Sequence, residues 1–341
     1  MKPYDGTDVW DVPDRRRLLH RDPAERIDAA VQWAVLAPSG HNTQPWKFRR
    51  IRDGLAVWAD RSRRLKVVDP DDRELLMSCA AATTHLVVAL RALELHARVT
   101  WLPAGDADLI SEVRVDGPVL PSPTDLALFD AIPKRQTNRS PFHKMLVPLE
   151  ALADAASLAE ERGAFATVIP ESKRADVAEL IAHGDRQQMA DKAFRQELAD
   201  WLHANRTGSR DGIRGYSLDH GDLSSALGPT ILRTFDVGRG QAARDRELAT
   251  ESPTLLLFET AVDSPADWVA TGDALAMVWL HLTAEGLAGS FLNQPIETPA
   301  LRSALAERLE SNRYPQLLMR IGYPAEPHPF SPRIPPEDVL S

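Results

Sequence analysis

Apolar residues recur at three- and four-residue spacing near the start of the chain, at Ile27, Ala30, Val31 and Ala34. This period predicts a helix with one buried face. Pro38 is expected to end the helix, because proline lacks an N–H and disfavours the α region at the residue before it. After it, Trp46–Arg49 alternates apolar with basic residues, which is typical of a half-buried strand.

The pattern predicts a hairpin and a long buried helix in the rest of the first half. Asp53-Gly54 separates the strand-like runs Trp46–Ile51 and Leu55–Ala59, and an Asp-Gly pair favours a hairpin turn. Asp69 before proline is interpreted as the N-cap of a helix that runs to about Leu95. Two β-rich stretches follow this helix, Ala97–Leu102 and Leu109–Val115.

The second half repeats this order loosely. The expected elements are a helix from Pro148 to Gly163, a strand over Phe165–Ile169, a charged helical stretch from Lys173 to about Ala204, a strand over Thr254–Glu259, a long helix from Pro265 to Gly286, an extended Ser290–Leu292, a helix from Pro299 to about Leu309 and a strand over Leu317–Ile321. Because both halves contain a helix, a strand, a long small-residue helix and a further strand, we interpret the chain as an internal duplication.

Two segments interrupt the regular pattern. The proline-rich Gly117–Pro123 is the expected domain boundary. Residues from about 183 to 250 form a polar, charged excursion that includes the glycine-rich Arg206–Gly212. A polar segment this long between packed elements is usually a lid, a binding loop or a mobile segment.

Composition narrows the function classes. The 341 residues are 43% hydrophobic and 26% charged, with a formal net charge of −9, which is typical of a globular protein without a global basic field for nucleic acid. Cys79 is the only cysteine and lies in a small-residue stretch, so we expect an inert core thiol and no disulfide. No signal peptide or membrane-spanning run is evident, which predicts a cytoplasmic protein without membrane contact.

The loop Ala37–Trp46 holds polar residues between a helix and a strand, where binding residues are often found. Read from composition alone, it is equally an ordinary capped turn. Its Pro-Ser-x-x-Asn-x-Gln-Pro-Trp pattern resembles the first flavin-contact loop of the FMN-dependent nitroreductase superfamily. The resemblance implies that the cofactor-binding residues here are Pro38, Ser39, Gly40, Asn42 and Gln44.

A second candidate site is Lys134–Arg139, where two arginines four residues apart flank a threonine. Guanidinium groups match phosphate oxygens bidentately, although a basic surface turn would look the same. The segment resembles the Arg-x-Ser/Thr-x-Arg run with which nitroreductases hold the FMN phosphate. The resemblance implies a cofactor-binding role for Arg135, Gln136, Thr137 and Arg139.

Two further motifs lie near the end of the chain. Gly286–Pro295 resembles the start of the strand that runs along the flavin ring in this superfamily, which implies that Leu287, Gly289 and Ser290 contact the cofactor. Arg333 follows a Gly-Tyr-Pro turn, and nitroreductases end similarly with a basic residue that returns to the phosphate. Without that resemblance, Arg333 would be interpreted as a surface charge.

The first motif occurs only in the first half, and the arginine run only in the second. This layout resembles the mycobacterial Acg-type branch of the superfamily over residues 20–340. It implies an α+β fold in which nitroreductase-like halves, residues 20–123 and 124–341 with a lid-like insert at about 183–250, form a pseudo-dimer with antiparallel sheets flanked by helices. One flavin site would remain between the halves, and the usual need to dimerise would be removed.

The resemblance implies an FMN-binding oxidoreductase that reduces a small acceptor with NAD(P)H. Two alternatives stay open: a flavin-sequestering protein whose insert covers FMN without turnover, and a scaffold that has lost the flavin. No side chain is expected to act as a general acid or base, and no histidine pair has metal-ligand spacing on a helix. His41, in the first loop, is interpreted as a solvent-facing turn residue, with contact to a substrate as the alternative.

Overall fold

The computed structural model describes residues 8–218, 222–234 and 238–341. Its α-helices are α1 (Arg15–Leu18), α2 (Pro23–Ala34), α3 (Arg73–Ala92), α4 (Pro123–Ala131), α5 (Leu149–Glu160), α6 (Glu171–Ala190), α7 (Lys192–Trp201), α8 (Asp222–Thr234), α9 (Gly238–Glu251), α10 (Pro265–Ala284), α11 (Gln294–Glu297), α12 (Pro299–Arg308) and α13 (Pro336–Val339). Its strands are β1 (Trp46–Ile51), β2 (Gly54–Ala59), β3 (Leu95–Trp101), β4 (Leu109–Pro118), β5 (Phe165–Val168), β6 (Leu202–His203), β7 (Ile213–Arg214), β8 (Thr254–Thr260), β9 (Ala288–Phe291) and β10 (Tyr314–Gly322).

Two antiparallel sheets of four strands form the framework. The first has the order β1-β2-β4-β3 and the second the order β5-β8-β10-β9. The predicted hairpin is confirmed, since Ile51 pairs with Gly54 across the β1–β2 turn. The α+β class with antiparallel sheets flanked by helices is therefore confirmed, while the division into duplicated halves stays a prediction.

The two long helices α3 and α10 pack against each other at the centre of the protein. Their backbones come so close that a Cβ atom on Gly272 would lie 2.3 Å from the carbonyl oxygen of Met77, so a side chain there would force the helices apart. The helix α3 is long and apolar enough to cross a bilayer, but 89% of its most apolar stretch is buried in the protein, as in a core helix. Cys79 on α3 is a buried free thiol, as expected.

Two local predictions are wrong. The helix α3 begins at Arg73 rather than after Asp69, because the carboxylate of Asp69 accepts a hydrogen bond from the backbone N–H of Leu75 (2.9 Å) across an intervening turn. The charged stretch after residue 170 is two helices, since the extended backbone of Asp191 ends α6 and its side chain caps α7.

The insert contains the helices α8 and α9, which the residue pattern did not predict. The helix α9 packs closely along α6, and α8 packs on α7. The helix α8 contains Gly228 and Pro229, which have weak intrinsic helix propensity, so packing on α7 contributes to its stability.

The end of the chain returns to the first sheet and passes the loop after α2. Leu340 forms a parallel bridge with Phe48 of β1, and the backbone N–H of Ser341 donates to the carbonyl of Phe48 (2.9 Å). The tail therefore brings the segment around Arg333 from the second half to the loop of the first.

Candidate cofactor and substrate cavity

A cavity of about 630 Å³ lies where the loop after α2, the arginine run, β9, the tail and the insert meet. This volume is in the usual range for small-molecule sites. Most of the site residues implied by the resemblance line it: Pro38, Ser39, Gly40, Asn42, Arg135, Gln136, Thr137, Arg139, Ser290 and Arg333. Segments that are far apart in sequence thus converge on one space.

The loop after α2 has an unusual backbone. Three of its residues that are not glycine, His41, Asn42 and Gln44, have φ values of 48°, 56° and 52°. This left-handed region is uncommon for side-chain-bearing residues and is maintained only where the surroundings enforce it. The hydroxyl oxygen of Ser39 contributes by accepting a hydrogen bond from the backbone N–H of Gln44 (3.0 Å).

Asn42 holds three segments together rather than extending freely into the cavity. Its Nδ2 donates to the carbonyls of Gly212 in the insert (3.1 Å) and Pro332 in the tail (3.0 Å). Its Oδ1 accepts from Nη1 of Arg333 at 2.6 Å. A ligand contact from Asn42 would therefore come from a side chain that is already fixed by the protein.

Three implied site residues lie outside the cavity lining. Gln44 is buried, and its Nε2 donates to the carbonyl of Arg210 (2.8 Å) while its Oε1 accepts from the backbone of Ile334 (2.8 Å). Leu287 packs in the core of the second sheet. The carbonyl of Gly289 accepts from the backbone N–H of Asn138 (3.0 Å), so this glycine attaches the arginine run to β9.

The arginine run lies beside the second sheet and is attached to it by a backbone bridge. Thr137 forms a parallel bridge with Gly289. Beyond it, the buried guanidinium of Arg320 on β10 donates from Nε to the hydroxyl of Ser290 (2.7 Å) and from Nη2 to the carbonyl of Asn138 (2.8 Å). These contacts fix the backbone that positions Arg135 and Arg139.

Arg135 is 2% exposed and has no anionic partner among the described residues. Its Nη2 donates to the carbonyl of Leu36 (2.9 Å), its guanidinium carbon lies 4.5 Å from the ring centre of Trp279, and its Nε has no hydrogen-bond partner. Burial, and secondarily the charge of Arg333, lower the pKa of Arg135 well below its usual value. A guanidinium keeps its proton nevertheless, so a buried positive charge remains without compensation.

Arg333 is also buried, but it is better satisfied. Besides Asn42, it donates to the carbonyls of Pro332 (3.0 Å) and Ala37 (3.3 Å), and it lies 4.9 Å from the ring centre of Trp10. Its Nε has no partner, and burial lowers its pKa to about 9. Arg333 therefore fastens the tail to the loop and adds a second positive charge to this wall of the cavity.

His41 lines the cavity and is half-buried, so its interpretation as a solvent-facing residue is wrong. Burial, together with the charge of Arg139, lowers the pKa of His41 to about 4. The imidazole is therefore neutral at neutral pH and adds no charge to the arginine wall.

Sequence reasoning missed an acidic wall. Glu74 on α3 and Glu297 on α11 line the cavity, and Oε1 of Glu74 accepts a hydrogen bond from Nδ2 of Asn293 (3.4 Å). Burial, and then the neighbouring Glu297, raise the pKa of Glu74 to about 8. Gly40 faces this wall, because a Cβ atom there would lie 3.1 Å from Oε2 of Glu74.

Asp185 on α6 and Asp245 on α9 extend the acidic wall. Nε2 of Gln294 donates to Oδ1 of Asp185 (3.2 Å) and to Oδ2 of Asp245 (2.7 Å), so one amide joins both carboxyls. Burial, and secondarily Asp245, raise the pKa of Asp185 to about 8, and burial also raises the pKa of Asp245. No local sequence signal distinguishes Asp185 from the other charges of its helix.

The insert forms one side of the cavity. Apolar side chains that it contributes are Phe194, Leu198, Leu202, Ile231, Leu232 and Leu248. The cavity thus has three surfaces: an arginine wall, an acidic wall and an apolar surface from the insert. Apolar surfaces combined with a few polar groups are typical of small-molecule sites.

Known proteins with related sequences align along nearly the whole chain. A Mycobacterium tuberculosis protein named "Putative NAD(P)H nitroreductase" is 31% identical over 325 residues, which cover 92% of this chain and 90% of that protein. The "Putative NAD(P)H nitroreductase acg" of the same species is 29% identical over 331 residues, covering 92% and 95%. A solved FMN and NADPH-dependent nitroreductase, NfnB from Sphigopyxis sp. strain HMH, is 19% identical with a TM-score of 0.44 and covers 63% of this chain and 97% of its own. No protein-family model matches the chain.

Proposed function

The chain belongs to the NAD(P)H nitroreductase family of its Mycobacterium tuberculosis relatives, and from this premise we propose that it binds FMN in the cavity and reduces a small acceptor with electrons from NAD(P)H. The relatives' names supply the electron donor and the class of reaction. The cavity supplies a space in which the loop and the arginine run lie together.

The buried charge of Arg135 is the observation that carries the proposal. An uncompensated guanidinium in the core is costly unless an anion accompanies it. The phosphate of FMN would bring up to two negative charges and oxygen atoms for the unpartnered Nε groups of Arg135 and Arg333. The residues present therefore fit a phosphate-bearing ligand at this wall.

The other residues have distinct roles in this arrangement. Arg139 lies at the same wall as Arg135 and Arg333, while the loop Pro38–Asn42 and Ser290 offer polar groups further along the cavity. When bound, FMN supplies the capacity to accept and donate hydride. The side chains of this protein hold and orient the cofactor, and the apolar surface of the insert keeps water away from it.

We further propose that the site is single and lies between two nitroreductase-like halves, residues 20–123 and 124–341. Each half contains one antiparallel sheet of four strands, and the chain carries one copy each of the loop and the arginine run. Because the tail joins the halves at β1, the fused chain is expected to act as a monomer. Size-exclusion chromatography with light scattering measures this directly.

A second candidate function is sequestration of FMN without turnover. The observation that favours it is that α7, α8 and α9 of the insert, with the end of α6, form one side of the cavity. If this side stays closed over the cofactor, a nicotinamide cannot reach the ring. The two functions then differ in the fate of bound FMN and not in its binding.

The first experiment is the visible absorbance spectrum of the protein after incubation with FMN and removal of excess cofactor. We expect a retained flavin spectrum that bleaches within seconds to minutes of anaerobic NADPH or NADH addition. A retained spectrum that persists would favour sequestration. Absence of any retained flavin would overturn both functions and favour the third alternative, a scaffold that has lost the flavin.

A comparison of FMN with riboflavin tests whether Arg135 and Arg139 bind the phosphate of FMN. In Arg135→Ala/Arg139→Ala, FMN affinity should fall about 100-fold to that of riboflavin, because only FMN carries the phosphate. Riboflavin affinity should change little, which separates loss of the phosphate contact from loss of the fold. Arg98→Ala, an exposed arginine on β3, is the matched control. Equal loss for both ligands would contradict the assignment.

A further inference from the structure

A second, much smaller cavity lies beside the cofactor cavity. Its volume is about 10 Å³, which is close to the minimum for one water molecule with polar partners. Among the described residues, Gly40, Glu74 and Ser78 line both cavities. The polar residues that line the smaller cavity alone are Thr43, Arg63, Arg64 and Asp69. Because Arg63 and Arg64 are partly exposed, the smaller cavity extends from Glu74 towards the protein surface.

Of the residues that the cavities share, Glu74 carries the titratable side chain. We propose that Glu74 donates a proton from Oε2 to the reacting molecule in the cofactor cavity and regains a proton from water in the smaller cavity. The proposal rests on the proposed function and adds a proton donor to it. For a two-electron acceptor A, the overall reaction is A + NAD(P)H + H⁺ → AH₂ + NAD(P)⁺. Glu74 supplies the H⁺ of this equation, and water from the surface then reprotonates its carboxylate.

The two oxygens of Glu74 are not equivalent. The side chain is 8% exposed, and its Oε1 accepts from Nη2 of Arg73 (3.3 Å) and from Nδ2 of Asn293 (3.4 Å). No described residue donates a hydrogen bond to Oε2. This oxygen lies beside Gly40, where a Cβ atom would be 3.1 Å away. A proton on Oε2 is therefore available to a molecule in either cavity.

The surroundings of Glu74 favour its protonated form. The charged groups near it are Arg73 on α3, Glu297 on α11, Asp69 before α3, and Arg63 and Arg64 at the smaller cavity. Burial, and then the charge of Glu297, raise the pKa of Glu74 to about 8, although Arg73 opposes this shift. Burial also raises the pKa of Asp69 and of Glu297. An acid with a pKa near the working pH can both release and regain a proton.

The test compares two electron acceptors that differ in their need for protons. The full-length, FMN-loaded protein is reduced with one equivalent of dithionite and mixed with 1,4-benzoquinone or with ferricyanide. Benzoquinone takes up two electrons and two protons, whereas ferricyanide takes up electrons alone. In Glu74→Gln, flavin reoxidation by benzoquinone should slow about 100-fold, as expected for loss of a general acid. Reoxidation by ferricyanide should keep its rate, and equal losses with both acceptors would overturn the proposal.

The pH profile separates proton donation from a structural role. In the unsubstituted protein, the benzoquinone rate should be constant from pH 6.5 to 8 and fall about tenfold per pH unit above, because only the protonated acid donates. Glu74→Gln should be slow at every pH, and Glu74→Asp should restore part of the rate together with a pH dependence. Glu179→Gln, an exposed carboxyl on α6, is the matched control and should match the unsubstituted protein. A profile that Glu74→Gln leaves unchanged would refute the role of Glu74.

Infrared spectroscopy tests the route through the smaller cavity. At pH 6.5 the protein should show a C=O stretching band of a protonated carboxyl that Glu74→Gln removes. In the FMN-loaded protein this band should still shift promptly in D₂O, because the smaller cavity leaves the carboxyl in contact with water. Protection of the band for hours after FMN binds would overturn the route.

The outcomes separate this proposal from the FMN proposal. If FMN is retained but the infrared band of Glu74 is missing, or if both acceptors are affected equally, the proton donor fails alone. If no FMN is retained, the proposed function fails and the proton donor fails with it.

Discussion

The arginine wall and the acidic wall of the cavity both bury charge, but they compensate it differently. Arg135 retains its proton under all ordinary conditions, so its charge can be balanced only by an anion from outside the described structure. Asp185 can discard its charge by binding a proton, and its pKa is raised to about 8 accordingly.

This difference indicates how each wall depends on a ligand. The uncompensated charge of the arginine wall lowers the stability of the protein until an anion binds, so ligand binding and stability are linked there. Asp185 of the acidic wall can lose its charge by binding a proton without any ligand, but its ionisation destabilises the fold as the pH rises. Both walls therefore lower the stability of the protein without a ligand, which is common at binding sites.

The largest effect is expected from Arg135→Met, which removes the charge and retains much of the length. FMN affinity should fall about 100-fold because the phosphate loses its buried partner. Without FMN, the free energy of unfolding should rise by about 1–2 kcal/mol, because an uncompensated buried charge is replaced by an apolar group. Urea unfolding and flavin-fluorescence titration measure the two effects.

Lower stability of Arg135→Met without FMN would show that the charge is already compensated. Arg98→Met provides the baseline, since Arg98 is exposed on β3 and distant from the arginine run in the sheet order. Both of its values should match those of the unsubstituted protein.

The next effect sharpens the contrast within the arginine wall itself. Arg333→Met should lower the free energy of unfolding by about 2 kcal/mol, opposite in sign to Arg135→Met. The reason is that Oδ1 of Asn42 and the carbonyl of Ala37 lose a charged donor while they remain buried. Urea unfolding without FMN measures it, and a rise in stability would mean that the tail fastens the loop through its backbone alone.

Much of the fold could be predicted because its signals are local. The period of Ile27 to Ala34 and the Asp53-Gly54 turn each specify an element through nearby residues. The helices α8 and α9 gave no such signal, since packing on α7 and α6 stabilises them. Asp69 is not the N-cap of α3, because a turn follows Pro70 and the helix begins only at Arg73.

The candidate site, like the fold, could be predicted only in part from the sequence. The resemblance to nitroreductase motifs was enough to single out Arg135 and Arg333, but not to show that Arg135 lacks an anionic partner while Arg333 fastens the loop. Gln44 has the residue type expected of a ligand contact. Its side-chain amide, however, already forms hydrogen bonds with the backbone of Asn42, Arg210 and Ile334. The acidic wall is assembled from α3, α6, α9 and α11, so only the tertiary structure reveals it.

The acidic wall is tested by the pH dependence of stability in Asp185→Asn. The folded pKa of Asp185 lies above its unfolded value of about 4, so this group's contribution is most favourable at low pH and is lost as the pH rises towards 8. Asp185→Asn should therefore gain about 1–3 kcal/mol relative to the unsubstituted protein between pH 5 and pH 8. Urea unfolding at both values checks this, with Glu179→Gln expected to gain nothing.

The smallest effect concerns His41, which lies between the walls as a neutral group. Its folded pKa of about 4 is below the unfolded value, so its contribution to stability is complete above about pH 6.5 and is lost as the pH falls towards 4. Asn tolerates the left-handed backbone at this position but does not titrate. His41→Asn should therefore reduce the loss of stability between pH 7 and pH 5 by about 1 kcal/mol, as measured by urea unfolding. An unchanged loss would mean that the imidazole is hydrated in the cavity and that the arginine wall does not suppress its protonation.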